Sequence, residues 1–295
     1  MAISGILESR TDREESKNVK IRRLAPLAAV LAAFCLPIAS SSAQEPQIPA
    51  PNIKIAGHRG ATKNVDENTI KAMAYAHPYA DILETDVQLT SDGLMVIMHD
   101  GTLDRTTSCT GAVSKRTLAY IKRCRTARGD HPPSLRQLLQ WADAQPDEIE
   151  FHLELKGTWT QAKVNRFVNE ATNYSMRYIT ATSFSEANLD KVARANDALP
   201  DSKQPKALAR SFNEGGNPTQ TPFRICDHYE GYSNSLSYLK PTYVDELQKV
   251  CNPPTTVAVY GGLDTAADYQ AALDTGAWIL TVEDPKDART WLNNR

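Results

Sequence analysis

The sequence predicts an α/β chain folded as a closed (β/α)8 barrel, and three observations carry that expectation. Short apolar runs alternate with helical patterns from about residue 53 onward, the order that lays helices over a parallel sheet. The runs number about eight over roughly 240 residues, which is the content of one closed barrel. Finally, His58, Glu84, Asp86, His99, Glu154 and Lys156 all fall at or near the C-terminal ends of such runs, where barrels of this kind assemble their active sites. A doubly wound open sheet is the competing architecture.

The first strand covers residues 53–57 and stops abruptly at His58-Arg59-Gly60. Glu67-Asn68-Thr69 then heads a helical pattern, and a second strand carries Glu84 and Asp86. Strand side chains alternate faces, so these two carboxylates project together, roughly 7 Å apart along the strand. A like-charged pair that close needs a cation, or one member protonates. Oxygen ligands of this kind suit Mg²⁺ or Ca²⁺. A third strand, residues 94–98, ends in His99-Asp100.

Pro132-Pro133-Ser134 opens a helix over 134–144, with Leu135, Leu138, Leu139 and Trp141 at helical spacing. In the strand 149–156, His152, Glu154 and Lys156 share one face and Phe151, Leu153 and Leu155 the other. A polar face inside a buried strand is costly unless its groups pair with one another or hold a metal. Chemistry explains that pattern better than packing does. Further on, helices over 160–173, 186–196 and 265–274 alternate with strands over 178–182, 206–210, 256–260 and 278–282. Residues 211–240 mix Gly, Pro, Asn and Tyr in no regular pattern and read as irregular.

The 295 residues are 41% hydrophobic and 23% charged, with a formal net charge of −2. That composition supports a large globular core and argues against nucleic acid as a partner. Residues 1–43 have the three-part layout of a signal peptide. A polar stretch ends in Lys20, Arg22 and Arg23, an apolar stretch follows over 24–38, and Ser41 and Ala43 are spaced for cleavage before Gln44. The apolar stretch is too short, and too broken by Pro26 and Pro37, to span a membrane. Residues 44–52 then form a flexible tail and 53–295 the barrel domain, exported to the periplasm or secreted. Cys109, Cys124, Cys226 and Cys251 remain after cleavage. An even number in an exported chain suggests disulfides, and three pairings are possible. The sequence-local pairs, 109 with 124 and 226 with 251, are the favoured ones.

Gly57-His58-Arg59-Gly60, Glu67-Asn68-Thr69, Glu84-x-Asp86-Val87, Met98-His99-Asp100, Leu103-Asp104-Arg105-Thr106-Thr107, Pro133-x-Leu135 and Glu154-Leu155-Lys156 occur in this order. Together they make the chain resemble the glycerophosphodiester phosphodiesterases, a family of the phosphatidylinositol-phosphodiesterase-like TIM-barrel superfamily. The resemblance covers essentially the whole mature chain. It implies a (β/α)8 TIM barrel with a small insertion after the third strand, about residues 101–133. It also implies that His58 and His99 are the general acid and base and that Glu84, Asp86 and Glu154 bind one divalent cation. Arg59, Asn68 and Lys156 would contact the phosphate, and Glu67 would support the metal site. Tyr260 and Trp278 are the candidates for lining the substrate mouth.

The residues make chemical sense of that resemblance. A phosphodiester needs a cation to accept the charge that grows in the transition state. Two histidines on opposite sides can take a proton from the attacking oxygen and give one to the leaving alkoxide. The expected substrate is a small glycerophosphodiester, cleaved to an alcohol and glycerol 3-phosphate. A lyso-phospholipid or sphingomyelin, cleaved with cyclic phosphate formation, is the alternative, and a non-catalytic phosphodiester-binding protein is a third. The departures from the family's pattern lie late in the chain. Tyr260-Gly261-Gly262-Leu263 stands where many members have aromatic-Thr-Val-Asn, and Val282-Glu283-Asp284-Pro285 where they close on Thr-Asp-x-Pro.

Overall fold

The computed structural model describes residues 52–174, 178–206 and 208–295. The expected signal segment 1–43 and the tail up to residue 51 lie outside the described residues. Among the described residues nine strands form one sheet. They are β1 (Lys54–Gly57), β2 (Ile82–Leu89), β3 (Met95–Ile97), β4 (Glu150–Leu155), β5 (Ile179–Ser183), β6 (Ala209–Glu214), β7 (Gly231–Ser235), β8 (Thr256–Leu263) and β9 (Ile279–Val282). All but β3 run parallel, and β1 pairs with both β2 and β9, so eight strands close into a barrel.

Two expectations change here. The apolar run before His99 is not a barrel strand. As β3 it pairs antiparallel with β2, Val87 opposite Ile97, because the chain reverses in a tight turn in which Thr90 N donates to Leu94 O and Gly93 takes φ +70°. The eighth barrel strand comes instead from the stretch read as irregular, where β7 lies between α6 (Pro222–His228) and α7 (Pro241–Val250). Its sequence, Gly-Tyr-Ser-Asn-Ser, has no apolar alternation because Ser233 faces a polar cavity rather than a packed core.

Of the other helices, α1 (Ile70–Ala76), α3 (Leu135–Asp143), α4 (Gln161–Ala171), α5 (Glu186–Asp197) and α8 (Ala266–Asp274) fall where the sequence pattern places them, whereas α2 (Leu118–Ile121) and α9 (Pro285–Asn293) are additional. Ser134 caps α3, accepting from Gln137 N while the Gln137 side chain returns to Ser134 N, a reciprocal capping box. The outward residues of β4, Phe151, Leu153 and Leu155, pack with Leu135, Leu138 and Phe167 in the layer between sheet and helices. Each such side chain contributes about 1.5–3 kcal/mol by leaving water. Inside the barrel a small apolar cluster of Ala56, Ile82, Ala258 and Ile279 closes one side of the lumen.

Between β3 and α3 the chain builds its own small core from Leu103, Val113, Ile121 and Cys124, closed by the Cys109–Cys124 disulfide. Cys226–Cys251 is the second disulfide and joins α6 to the end of α7. Both are the sequence-local pairs. Among the described residues no helix is long and apolar enough to cross a membrane.

Candidate active site

The C-terminal mouth of the barrel holds a cavity of about 290 Å³, lined among others by His58, Arg59, Glu84, Asp86, His99, Glu154, Lys156 and Tyr260. The turn after β1 builds its first wall. Arg59 takes φ +51°, an uncommon conformation outside glycine, and this aims its backbone N–H at Glu84 Oε2, 2.9 Å away. Gly60 follows at φ +88°, where a Cβ would lie 2.7 Å from the Ala72 backbone. Only glycine lets α1 pack this close.

Carboxylate oxygens of Glu84, Asp86 and Glu154 lie within 4.8 Å of one another. Burial and the Asp86 charge push Glu84 above the usual carboxylate range, and burial and Asp86 do the same to Glu154. Lys156 answers only part of that charge, with Nζ 2.7 Å from Glu154 and 3.5 Å from Asp86. Burial disfavours the Lys156 ammonium, yet the Asp86 and Glu154 charges outweigh it and raise its pKa. Three convergent oxygen donors with incompletely balanced charge fit a divalent cation such as Mg²⁺ or Ca²⁺.

The two histidines flank this cluster, and each has its Nδ1 taken by a carboxylate. His58 Nδ1 lies 2.8 Å from Glu283 Oε1, and the other Glu283 oxygen accepts from the Thr62 hydroxyl. His99 Nδ1 lies 2.7 Å from Asp100 Oδ1. With Nδ1 held from behind, Nε2 of each ring is left for the cavity. Burial works against the His58 imidazolium, but the Glu283 hydrogen bond and the Glu84 charge prevail and raise its pKa above 6.5. The Arg105 hydrogen bond, joined by that from His99, holds Asp100 far below the usual carboxylate range.

Arg105 proves to be a clamp. Its neighbour Asp104 faces elsewhere and accepts from Gly111 N. Arg105 instead bridges Asp100 (Nε to Oδ2, 2.6 Å) and Glu67 (Nη1 to Oε2, 2.7 Å). Glu67 in turn accepts from Arg59 Nη1 at 2.9 Å. One chain of charge-assisted bonds thus runs from His99 to Arg59.

Not every predicted site residue reaches the cavity. Asn68 stands behind it, buried, with its amide donating to Asp86 Oδ2 at 2.9 Å and accepting from Thr85 Oγ1 at 2.6 Å. It orients Asp86 rather than presenting a donor to the cavity. Trp278 is at the other end of the barrel. It immediately precedes β9, and every barrel strand points its C-terminal end at the site, so a residue entering a strand lies at the far mouth. There it lines a second cavity of about 350 Å³ with Lys54, Glu150 and Tyr178. Tyr260 does line the cavity at the C-terminal mouth, edge-to-face with Phe184 at 6.1 Å between ring centroids. Glu283 and Phe184 are the residues that sequence reasoning missed. The only signal for Glu283 was its place in the divergent closing motif.

Fold and site together define a (β/α)8 barrel with an acidic, histidine-flanked pocket at its C-terminal mouth. The model of the glycerophosphoryl diester phosphodiesterase family matches residues 58–212, more than half of the chain. The chain belongs to that family. It is 51% identical over 70 residues to the glycerophosphodiester phosphodiesterase of Caldanaerobacter subterraneus, covering 23% of this chain and 29% of that protein. It is 33% identical over 131 residues to human glycerophosphodiester phosphodiesterase 1, covering 41% and 39% respectively. These alignments thus span well under half the length of the curated relatives. An Oleispira antarctica phosphodiesterase, solved with its product sn-glycerol-3-phosphate, superposes with a TM-score of 0.68 at 19% identity, covering 81% of this chain and 96% of that one.

Proposed function

We propose that the chain is a metal-dependent phosphodiesterase that hydrolyses glycerophosphodiesters to an alcohol and glycerol 3-phosphate. One observation carries this reading: two histidines, each with Nδ1 held by a carboxylate, line one cavity with a triad of carboxylates between them. Family membership supports it.

Glu84, Asp86 and Glu154 hold the cation, which when bound stabilises negative charge on the phosphoryl oxygens. Arg59 and Lys156 add fixed positive charge at the same wall. One histidine Nε2 accepts the proton of the attacking oxygen and the other donates to the departing alkoxide as the P–O bond breaks. Where the substrate carries a hydroxyl beside the phosphate, that hydroxyl attacks first and water opens the resulting cyclic phosphate. Asp100 and Glu283 keep both rings in the tautomer and orientation this exchange needs.

In this reading residues 53–295 are the catalytic domain, with 101–133 inserted, and 1–43 are a cleaved signal. The two disulfides support export to an oxidising compartment. The test is release of glycerol 3-phosphate from glycerophosphocholine by the protein from Gln44 onward. EDTA should stop release, and Mg²⁺ or Ca²⁺ should restore it. No release with either cation overturns the proposal.

A further inference from the structure

In the layer between sheet and helices, the outward residues of a barrel strand are ordinarily apolar. β6 breaks that pattern at its C-terminal end. Ser211 and Asn213 line the cavity at the C-terminal mouth and Phe212 packs in the outer core, so alternation sends Glu214 outward with Phe212. Glu214 is only 7% exposed, and the donors it meets are neutral. Tyr232 of β7, in register with Phe212 and fully buried, donates to Glu214 Oε2 at 2.6 Å. Thr219 gives Glu214 Oε1 both its backbone N–H, at 2.8 Å, and its hydroxyl. Asn234 Nδ2 completes the network, reaching the Tyr232 hydroxyl at 2.9 Å and Gly216 O at 3.0 Å. A buried carboxylate costs stability that an apolar residue in this layer would not.

These bonds converge on one loop. Residues 215–221 join β6 to α6. Glu214 holds the loop at Thr219, Asn234 holds it at Gly216, and Tyr243 of α7 holds Gln220 O at 2.8 Å. The loop in turn backs the aromatic wall of the cavity. A Cβ at Gly215 would lie 3.6 Å from both Phe184 Cε1 and the Tyr260 hydroxyl oxygen, so the loop backbone rests against both rings. The Tyr260 hydroxyl donates to Glu214 O, and Tyr260 therefore offers the cavity a ring rather than a proton donor. Lys156 Nζ stands 5.9 Å from the Phe184 ring centroid, so this wall begins where the charged wall ends.

We propose that Glu214 is the positioning residue of this wall: through Thr219, Tyr232 and Tyr260 it sets where the Phe184 and Tyr260 rings meet the organic part of the substrate, without touching substrate itself. The inference rests on the phosphodiesterase function proposed above and adds a residue to its binding site. The network demands a carboxylate. The Tyr232 hydroxyl accepts from Asn234, so its one proton goes to Glu214 Oε2, while Thr219 directs two protons at Oε1. Both oxygens must accept, which a carboxylate does and an amide cannot. Burial and the Glu214 hydrogen bond hold the Tyr232 phenol protonated well above its usual range, so that donor persists at any assay pH. The carboxylate triad and both histidines hang from other strands, and Lys156 stays bonded to Glu154 at 2.7 Å. Loss of the network should therefore weaken binding and spare the chemical step.

Glu214→Gln and Thr219→Val are compared with the parent protein in hydrolysis of glycerophosphocholine and in amide hydrogen exchange over residues 215–221. Thr219 is exposed, so losing its hydroxyl leaves the core intact, and Thr219→Val decides by the same readouts if Glu214→Gln does not fold. KM should rise about tenfold in Glu214→Gln, the scale of one buried hydrogen bond left unmade, and by less in Thr219→Val. In both, kcat should stay within about twofold of the parent, the split expected when binding alone is lost, and exchange over 215–221 should quicken. A kcat that falls while KM holds is the mark of a smaller folded fraction and overturns the positioning role. Unchanged KM, or a raised KM with unchanged exchange, overturns it as well. A parent that cleaves no diester overturns the function on which the inference rests. Exchange alone then decides: faster exchange in both variants retains Glu214 as the anchor of the wall, and unchanged exchange overturns it.

Discussion

His58 Nδ1 lies 2.8 Å from Glu283 Oε1, a contact that joins the residue after the first barrel strand to the residue after the last. Backbone bonds fix the carboxylate: Glu283 N donates to Leu263 O, and Lys63 N donates to Glu283 O. The pair therefore sits where the barrel closes, tying closure to the orientation of a candidate catalytic ring.

Replacing Glu283 by Gln keeps an acceptor and removes the charge, so both stability and the pH–rate profile should respond. Folding raises His58 above 6.5 and lowers Glu283 below 4.5. The His58 contribution is whole below about pH 6.5 and fades as the pH rises through the raised folded value. The Glu283 contribution is whole above about pH 4.5 and fades as the pH falls through the lowered one. Urea unfolding of Glu283→Gln should show a deficit of about 1 kcal/mol between those limits, shrinking towards pH 9. The limb of the pH–rate profile that belongs to His58 should move to lower pH. A deficit that does not vary with pH would count against the ion pair.

Removing either histidine tests the acid–base assignment. His58→Ala and His99→Ala are each expected to cut kcat by about 10²–10⁴-fold, with melting temperature and circular dichroism close to the parent. A folded His58→Ala protein at the parental rate sinks the assignment for that ring.

The way the sequence misled about β3 and Trp278 shows what patterning can carry. In β4 the alternation of Phe151, Leu153 and Leu155 against His152 and Glu154 is plain, because one face meets helices and the other a polar lumen. β7 lacks that contrast. Gly231 and Ser233 face inward with no apolar bulk, so nothing periodic remains to read. β3 is apolar throughout yet turns back on β2, and the cue was local: Thr90-Ser91-Asp92-Gly93 is turn chemistry, not a helical crossover. Trp278 stands at the entrance of β9, and that position sets it at the far mouth whatever its aromatic side chain suggests. The carboxylates and histidines were legible because short motifs at strand ends fix them. Glu283, some 225 residues away from His58 in sequence, becomes their partner only once the barrel closes.

The disulfides should separate in their effects. Cys226–Cys251 spans 25 residues and joins α6 to α7, away from the charged cluster. Cys109–Cys124 closes the small core next to Arg105, which clamps Asp100 and Glu67. Replacing either pair by Ser should cost about 3 kcal/mol in unfolding free energy. Only loss of Cys109–Cys124 should also depress kcat at temperatures where both variants remain folded. Equal kcat for the two would show that the Arg105 clamp does not depend on this bridge.

Cation binding should release a proton, and Glu84 is the group that supplies it. Burial and the neighbouring Asp86 push Glu84 up to about 8 in the metal-free site, so near pH 7 it is largely protonated there. A carboxyl must lose its proton to act as an oxygen ligand of full charge. Affinity for Mg²⁺ or Ca²⁺ should therefore rise with pH up to about 8 and level off above it. Calorimetric titration in buffers of different ionisation enthalpy should find up to about one proton released at pH 7, falling towards none at higher pH. At saturating cation the melting temperature should rise, since a ligand at 100 times its Kd adds about 2.7 kcal/mol. Glu84→Gln should abolish both the proton release and the stabilisation. Affinity that stays flat between pH 6 and 9 would place the titrating proton elsewhere and remove Glu84 from the first contacts of the cation.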